Sequence, residues 1–285
     1  MLGLSNAITK ATSLGLQYIK DGLKLYMPYR GHHADEVQFV GTGSTSFDGH
    51  TDYVTTGSAI GDALGDGYSG GLTITMWFKA TGTAGGNEDG MFLMADSGNW
   101  SSGHQLLVRY ASNVIYVRIA DSADSSASFA YTEINVWRHL TIVADRPNTA
   151  IRLYLDGVLK TTAGMADNPD FADMTTYIGV YSAVQYSLVG NMKNVAMWNR
   201  ALTATEVQNV MYKSYVNVSG RLASGLVSWW ALEESKSGDA TKAVDSKGSN
   251  EGTISGATVA AYGAATLYGG DTPIKPRAID NAPTV

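Results

Sequence analysis

Sugar-chain hydrolysis needs two carboxyl groups facing one glycosidic bond from opposite sides, and the sequence offers only adjacent acids, Asp35-Glu36 and Glu233-Glu234. On an extended strand neighbouring side chains point to opposite faces, so these pairs read as solvated charge and the chain as a non-enzyme. The five histidines, His32, His33, His50, His104 and His139, form no His-Glu-x-x-His arrangement, and there is no Cys to join them. A zinc centre is therefore unsupported, and thiolate chemistry and disulfides are excluded. Calcium takes oxygen ligands from loops, and Asp48 and Asp52 are its candidate ligands; turn formation explains the same two residues. For sugar binding, an aromatic ring can stack on a pyranose face while polar groups bond its hydroxyls. Trp100 and His104 in the stretch Ser97–His104, and Tyr181 with Tyr186 between two late strands, fit that role. Anchoring of loops to a sandwich explains them equally well.

The chain has 285 residues with 44% apolar and 10% aromatic side chains, enough to bury a core in one large domain with appendages. A net charge of −6 without a basic block lacks the electrostatic footprint of a nucleic-acid binder. No apolar stretch approaches the ~20 residues needed to cross a bilayer as a helix, so no membrane partner is expected. The first residues are interrupted by Ser5, Asn6, Thr9, Lys10 and Thr12, unlike a secretory signal.

Residues 1–21 place Leu2, Leu4, Ile8, Ala11, Leu16 and Ile19 at helical spacing, which predicts a short amphipathic helix against its own sandwich or a partner. From Leu23 onward the period is two. Leu23, Leu25, Met27 and Tyr29 alternate with polar or turn residues, and Leu72, Ile74, Met76 and Phe78 alternate with Thr73, Thr75, Trp77 and Lys79, each a strand with one buried face. Leu106–Tyr110 and Val114–Ile119 read as a hairpin, as do the runs flanking Asp156-Gly157, a dipeptide suited to a type I′ turn. Phe47 and Tyr53 are expected to anchor two strands from inside, paired across the Asp48-Gly49 turn. Thr203 and Glu206 form a capping-box match that should start a helix running to about Tyr215. Many short strands, no alternation with helices and 32 glycines for turns predict an all-β, antiparallel β-sandwich of jelly-roll type.

Four stretches carry a family resemblance: Ser46–Val54, Leu72–Lys79, Trp137-Arg138-His139 followed by Leu153–Gly157, and Gly190–Leu202. In this order they resemble the laminin-G-like jelly rolls of the concanavalin A-like lectin and glucanase superfamily. The resemblance covers roughly Leu23–Tyr215 and implies a lectin-like display or binding domain over 22–216. Where many relatives carry an acidic pair near the last long strand this chain has Lys193-Asn194, so a ligand role held by that pair is lost or changed.

Gly225–Leu232 looks like the opening strand of another such unit, giving a partial repeat over 217–270 that cannot close a sandwich alone. Trp229 and Trp230 must then be covered, either by the same sandwich or by strand exchange in an assembly. The tail 271–285, with Pro273, Pro276 and Pro283, reads as an extended arm. Together these features suggest a tailed-phage virion protein, a capsid decoration or fibre component that self-associates and displays a lectin-like domain toward cell-surface glycans. The alternative is an extracellular, free carbohydrate-binding module or adhesin.

Overall fold

The computed structural model of the chain describes residues 43–64, 70–82, 88–95, 105–120, 123–166, 171–182, 185–233 and 240–260. The expected helix at 1–21, the strand at Leu23–Tyr29, the tail 271–285, Trp100 and His104 lie outside them. Strands are numbered in chain order. One sheet runs β10 (Val158–Gly164), β9 (Ala150–Leu155), β8 (Arg138–Asp145), β3 (Leu72–Ala80), β14 (Val189–Trp198), β1 (Ser44–Asp48), β18 (Thr258–Ala260), with β15 (Leu226–Trp230) also on β14. The second runs β16 (Lys242–Ala243), β17 (Gly252–Ser255), β2 (Tyr53–Gly57), β11 (Thr175–Ile178), β4 (Asp89–Ala95), β5 (Gln105–Ala111), β6 (Val114–Ala120), β7 (Asp124–Ala130). The short strands β12 (Val180–Ser182) and β13 (Gln185–Ser187) attach to it at β4, where Ser187 and Gly90 make a parallel bridge among otherwise antiparallel pairs.

The two inner faces interdigitate as in an aligned sandwich. Ile74, Met76 and Phe78 of β3, Leu140 and Ile142 of β8 and Met192 of β14 share one buried cluster with Phe92 and Met94 of β4, Leu106 and Val108 of β5 and Val117 of β6. The sequence's alternation is thereby realised as an all-β sandwich. The β9–β10 turn has Asp156 at φ 51° and Gly157 at φ 74°, both positive as a type I′ turn demands. At the β5–β6 turn Ser112 and Asn113 do the same at 48° and 63°.

Three expectations need correction. β1 and β2 are not partners: β1 pairs with β14 and β18, and β2 with β11 and β17, because the chain crosses between sheets over residues 49–52. Phe47 stays inside, but Tyr53 is only half-buried, on the outer side of the second sheet. The outer side of β3 is dry over Thr73, Thr75 and Trp77, which are buried beneath the segment after β14, and among the four residues of that face Lys79 alone stays partly exposed. That segment brings Trp198, Leu202, Val207, Val210 and Leu222 together with Val143 and Tyr154 in a second cluster. The helix itself, α2 (Ala204–Val210), has its capping box, with the backbone N–H of Glu206 donating to Thr203 Oγ1 and that of Thr203 to Glu206 Oε2, but ends well before Tyr215. Its final turn tightens, Lys213 N–H donating to Val210 O, and Trp77 Nε1 donates at 3.2 Å to Met211 O, so the terminal carbonyls are satisfied without further helix. A short helix α1 (Ala59–Leu64), unforeseen in the sequence, packs Ile60 into the core.

The C-terminal strands add to both sheets of this same sandwich. β15 lies on β14, β17 on β2 and β18 on β1.

Candidate functional site

On β5, Leu106, Val108 and Tyr110 enter the core, so Leu107 and Arg109 take the opposite face; on β6, Ile115, Val117 and Ile119 go in, so Tyr116 and Arg118 go out. The register then sets Arg109 opposite Tyr116 and Leu107 opposite Arg118, forming one outward cluster on two adjacent strands. Arg109 has its guanidinium carbon 4.9 Å from the Tyr116 ring centre and 5.5 Å from that of Tyr181, and it pairs with Glu88. Arg118 pairs with Asp124 across to β7. Two guanidinium groups are thus each neutralised by one carboxylate, and one of them is sandwiched by aromatic rings.

Tyr181 reaches this cluster because of a missing side chain. A Cβ on Gly90 would sit 1.8 Å from the backbone nitrogen of Tyr181, so only glycine lets β12 lie this close to β4. Tyr181 is buried, with its hydroxyl pushed up to about 12, chiefly by burial and then by Glu88. Tyr186, across the β12–β13 hairpin, lies 6.1 Å from it edge to face and is 39% exposed, with φ at 60°. A ring presented to solvent from a strained position, packed on a tyrosine that itself adjoins Arg109 and Glu88, is chemically suited to stacking on a sugar ring.

Of the residues foreseen in the sequence, the structure brings Tyr181 and Tyr186 together, with Tyr186 as the exposed contact and Tyr181 as its support. Arg109, Tyr116, Arg118 and Glu88 were not foreseen; their signal was the strict outward alternation in β5 and β6. Trp100 and His104 belong to the connection between β4 and β5 and fall outside the described residues. Trp229 and Trp230, candidates for assembly, are 1% and 0% exposed, so the chain covers both itself and neither offers a surface to a neighbour. Trp229 Nε1 donates to Asn194 Oδ1 at 3.3 Å and Trp230 Nε1 to Asn250 O at 2.7 Å. Of the divergent Lys193-Asn194 pair, Asn194 serves that contact, and Lys193 is buried with its amine 5.0 Å from the Trp137 ring centre.

Asp48 and Asp52 do not fit a calcium ion. Asp52 Oδ2 accepts the backbone N–H of Asp48 at 2.9 Å and Asp48 Oδ1 that of His50 at 2.9 Å, so both carboxylates are engaged by the turn between the sheets. Burial, followed by the neighbouring Asp48 charge, raises the Asp52 carboxyl, against the backbone N–H of Asp48 that lowers it. Among the described residues no group of three or more His, Asp or Glu gathers to hold a metal, whereas calcium takes about six to eight oxygens. The melting temperature is therefore expected to be the same with excess EDTA and with millimolar calcium; a rise of several degrees in calcium would restore the metal.

Two stacked antiparallel sheets with an aromatic and guanidinium cluster on an outer face define a lectin-like sandwich. The chain belongs to the concanavalin A-like lectin/glucanases superfamily, whose laminin-G-type family model matches residues 48–208. Curated protein sequences give no match. Among solved structures, a candidate carbohydrate binding protein from Bacteroides ovatus is similar at TM-score 0.55 and 15% identity, over 78% of this chain and 60% of that one. A heptameric pentraxin of Limulus polyphemus is similar at TM-score 0.46 and 18% identity, over 60% and 82% of the two chains. The CBM40 module of a Ruminococcus gnavus sialidase, bound to α2,3-sialyllactose, is similar at 0.49 and 12%, over 60% and 100%. The chain thus spans about three fifths of the Bacteroides protein's length.

Proposed function

We propose that the protein is a non-catalytic, lectin-like module that binds glycans through Tyr186, Arg109, Glu88 and Tyr116 on the outer face of its second sheet. The observation that carries this is an exposed aromatic held edge to face on a buried one, with ion-paired arginine and glutamate beside it. Such pairs offer a sugar both donors and acceptors while keeping the patch near neutral. Superfamily membership and the fold shared with a candidate carbohydrate binding protein support the reading. A glycan array of neutral, uronic and sialylated oligosaccharides tests it. Tyr186→Ala should weaken the best-bound oligosaccharide about fivefold to tenfold, the contribution of one stacked ring, with an unchanged melting temperature. An array on which nothing binds sinks the proposal.

The setting we propose is a tailed-phage particle, on the strength of the sequence pattern at 1–21 and 271–285. A free carbohydrate-binding module exported from a cell would use the same face, and the fold shared with the Bacteroides protein suits it as well. Mass spectrometry of purified particles against culture supernatant separates the two.

A further inference from the structure

We infer that the same sheet carries a second, independent sugar-contacting patch, built on Tyr53 and Tyr177 and suited to an uncharged pyranose. The inference rests on the glycan-binding reading above. Ile178 points into the core, so Tyr177 faces outward on β11; Val54 points in, so Tyr53 and Thr55 face outward on β2; Ile254 points in, so Thr253 and Ser255 face outward on β17. The register sets Tyr53 opposite Ser255, Thr55 opposite Thr253 and Tyr177 opposite Thr55. Two rings, 6.0 Å apart edge to face, are thereby ringed by three hydroxyls on rigid strands, and every one of these residues is at least partly exposed.

The chemistry of the patch differs from that of the first. No charged residue stands among Tyr53, Thr55, Tyr177, Thr253 and Ser255; Lys242, paired with Thr253, marks the rim, and Asp52 lies buried behind Tyr53. Hydroxyls that donate and accept, with aromatic edges and faces but no fixed charge, match a neutral sugar ring better than an anion or a basic peptide. The two patches are not one groove. Leu93, Ala95, Leu107 and Tyr181 form a buried cluster between them, against which Tyr177 packs, and from Tyr177 on β11 to Tyr116 on β6 there are three strand spacings, about 14 Å. One chain therefore meets a polysaccharide at two separated points, and holding both raises avidity without new contacts.

Isothermal titration with the tightest-binding neutral trisaccharide from among cellotriose, laminaritriose and maltotriose decides the matter. Two sites per chain are expected, reduced to one by Tyr186→Ala and to one by Tyr177→Ala, with at least a tenfold loss of affinity for the parent polysaccharide in either variant. Thr253→Lys, at an exposed strand position, gives the same result as Tyr177→Ala and guards against a folding defect, which unchanged melting temperatures also exclude. A single site in the unaltered protein that Tyr186→Ala abolishes and Tyr177→Ala leaves overturns the second patch while leaving glycan binding intact, and the reverse pattern overturns the first patch instead. No titration with any of the three, together with a blank array, removes the parent reading as well.

Discussion

Replacing Trp230 with Ala should destabilise the protein by about 3–5 kcal/mol, the cost of deleting a fully buried large aromatic. Trp230 is 0% exposed within the main core cluster, so little surrounding chain can collapse into the space it leaves. Asn250 O also loses Trp230 Nε1–H as its donor while staying partly buried. The neighbouring strand is fastened by Asp245, whose carboxylate accepts the backbone N–H groups of Trp229 at 2.9 Å, Lys247 at 3.0 Å and Asn250 at 3.2 Å. A chain cut before Gly225 loses β15 and β18 from one sheet and β16 and β17 from the other, and should not fold at all. Urea titration measures the first effect, and circular dichroism of the shortened chain the second. The competing expectation, strands reserved for exchange with a neighbour, predicts instead that the shortened chain stays folded and shows a smaller mass by light scattering.

Much of this fold was legible because turn chemistry and alternation are local. Asp156-Gly157 could only be a tight hairpin, and Leu106–Tyr110 with Val114–Ile119 could only present one face to a core. What failed was not local. Asp48-Gly49 turns the chain equally well within a sheet or from one sheet to the other, and nothing in the dipeptide distinguishes the two outcomes. In β3 the alternation of Thr73, Thr75 and Trp77 with apolar residues looked like a wet face. It is a dry one, because Trp77 Nε1 has Met211 O and Thr73 Oγ1 donates to Arg200 O, partners far along the sequence. The site divides in the same way. Tyr181 and Tyr186 were visible as aromatics in a late loop, whereas Arg109, Tyr116, Tyr53 and Tyr177 become a surface only once the strand order is known.

The face that α2 covers should announce itself in the pH dependence of stability. His139 is buried against Trp77, ring centres 5.2 Å apart, and burial lowers its imidazole to about 3. The folded protein then binds fewer protons than the unfolded chain between about pH 3 and 6.5, so stability is intact above 6.5 and drains away as pH falls, by on the order of 5 kcal/mol. Lys193 is lowered to about 7, first by burial, with Glu233 opposing. There too the unfolded chain binds the extra proton, now between about pH 7 and 10.5, so stability should climb by on the order of 5 kcal/mol across a range in which carboxylates and histidines no longer titrate. Urea midpoints from pH 4 to 10 separate the two groups. His139→Gln should flatten the acid limb alone, and Lys193→Met the alkaline limb alone, while raising stability at pH 6 by removing a buried ammonium group. Equal slopes in all three proteins would mean that water reaches both side chains. The first sheet's outer side would then be open, and it would compete with the tyrosine patches of the second sheet as the surface that meets a ligand.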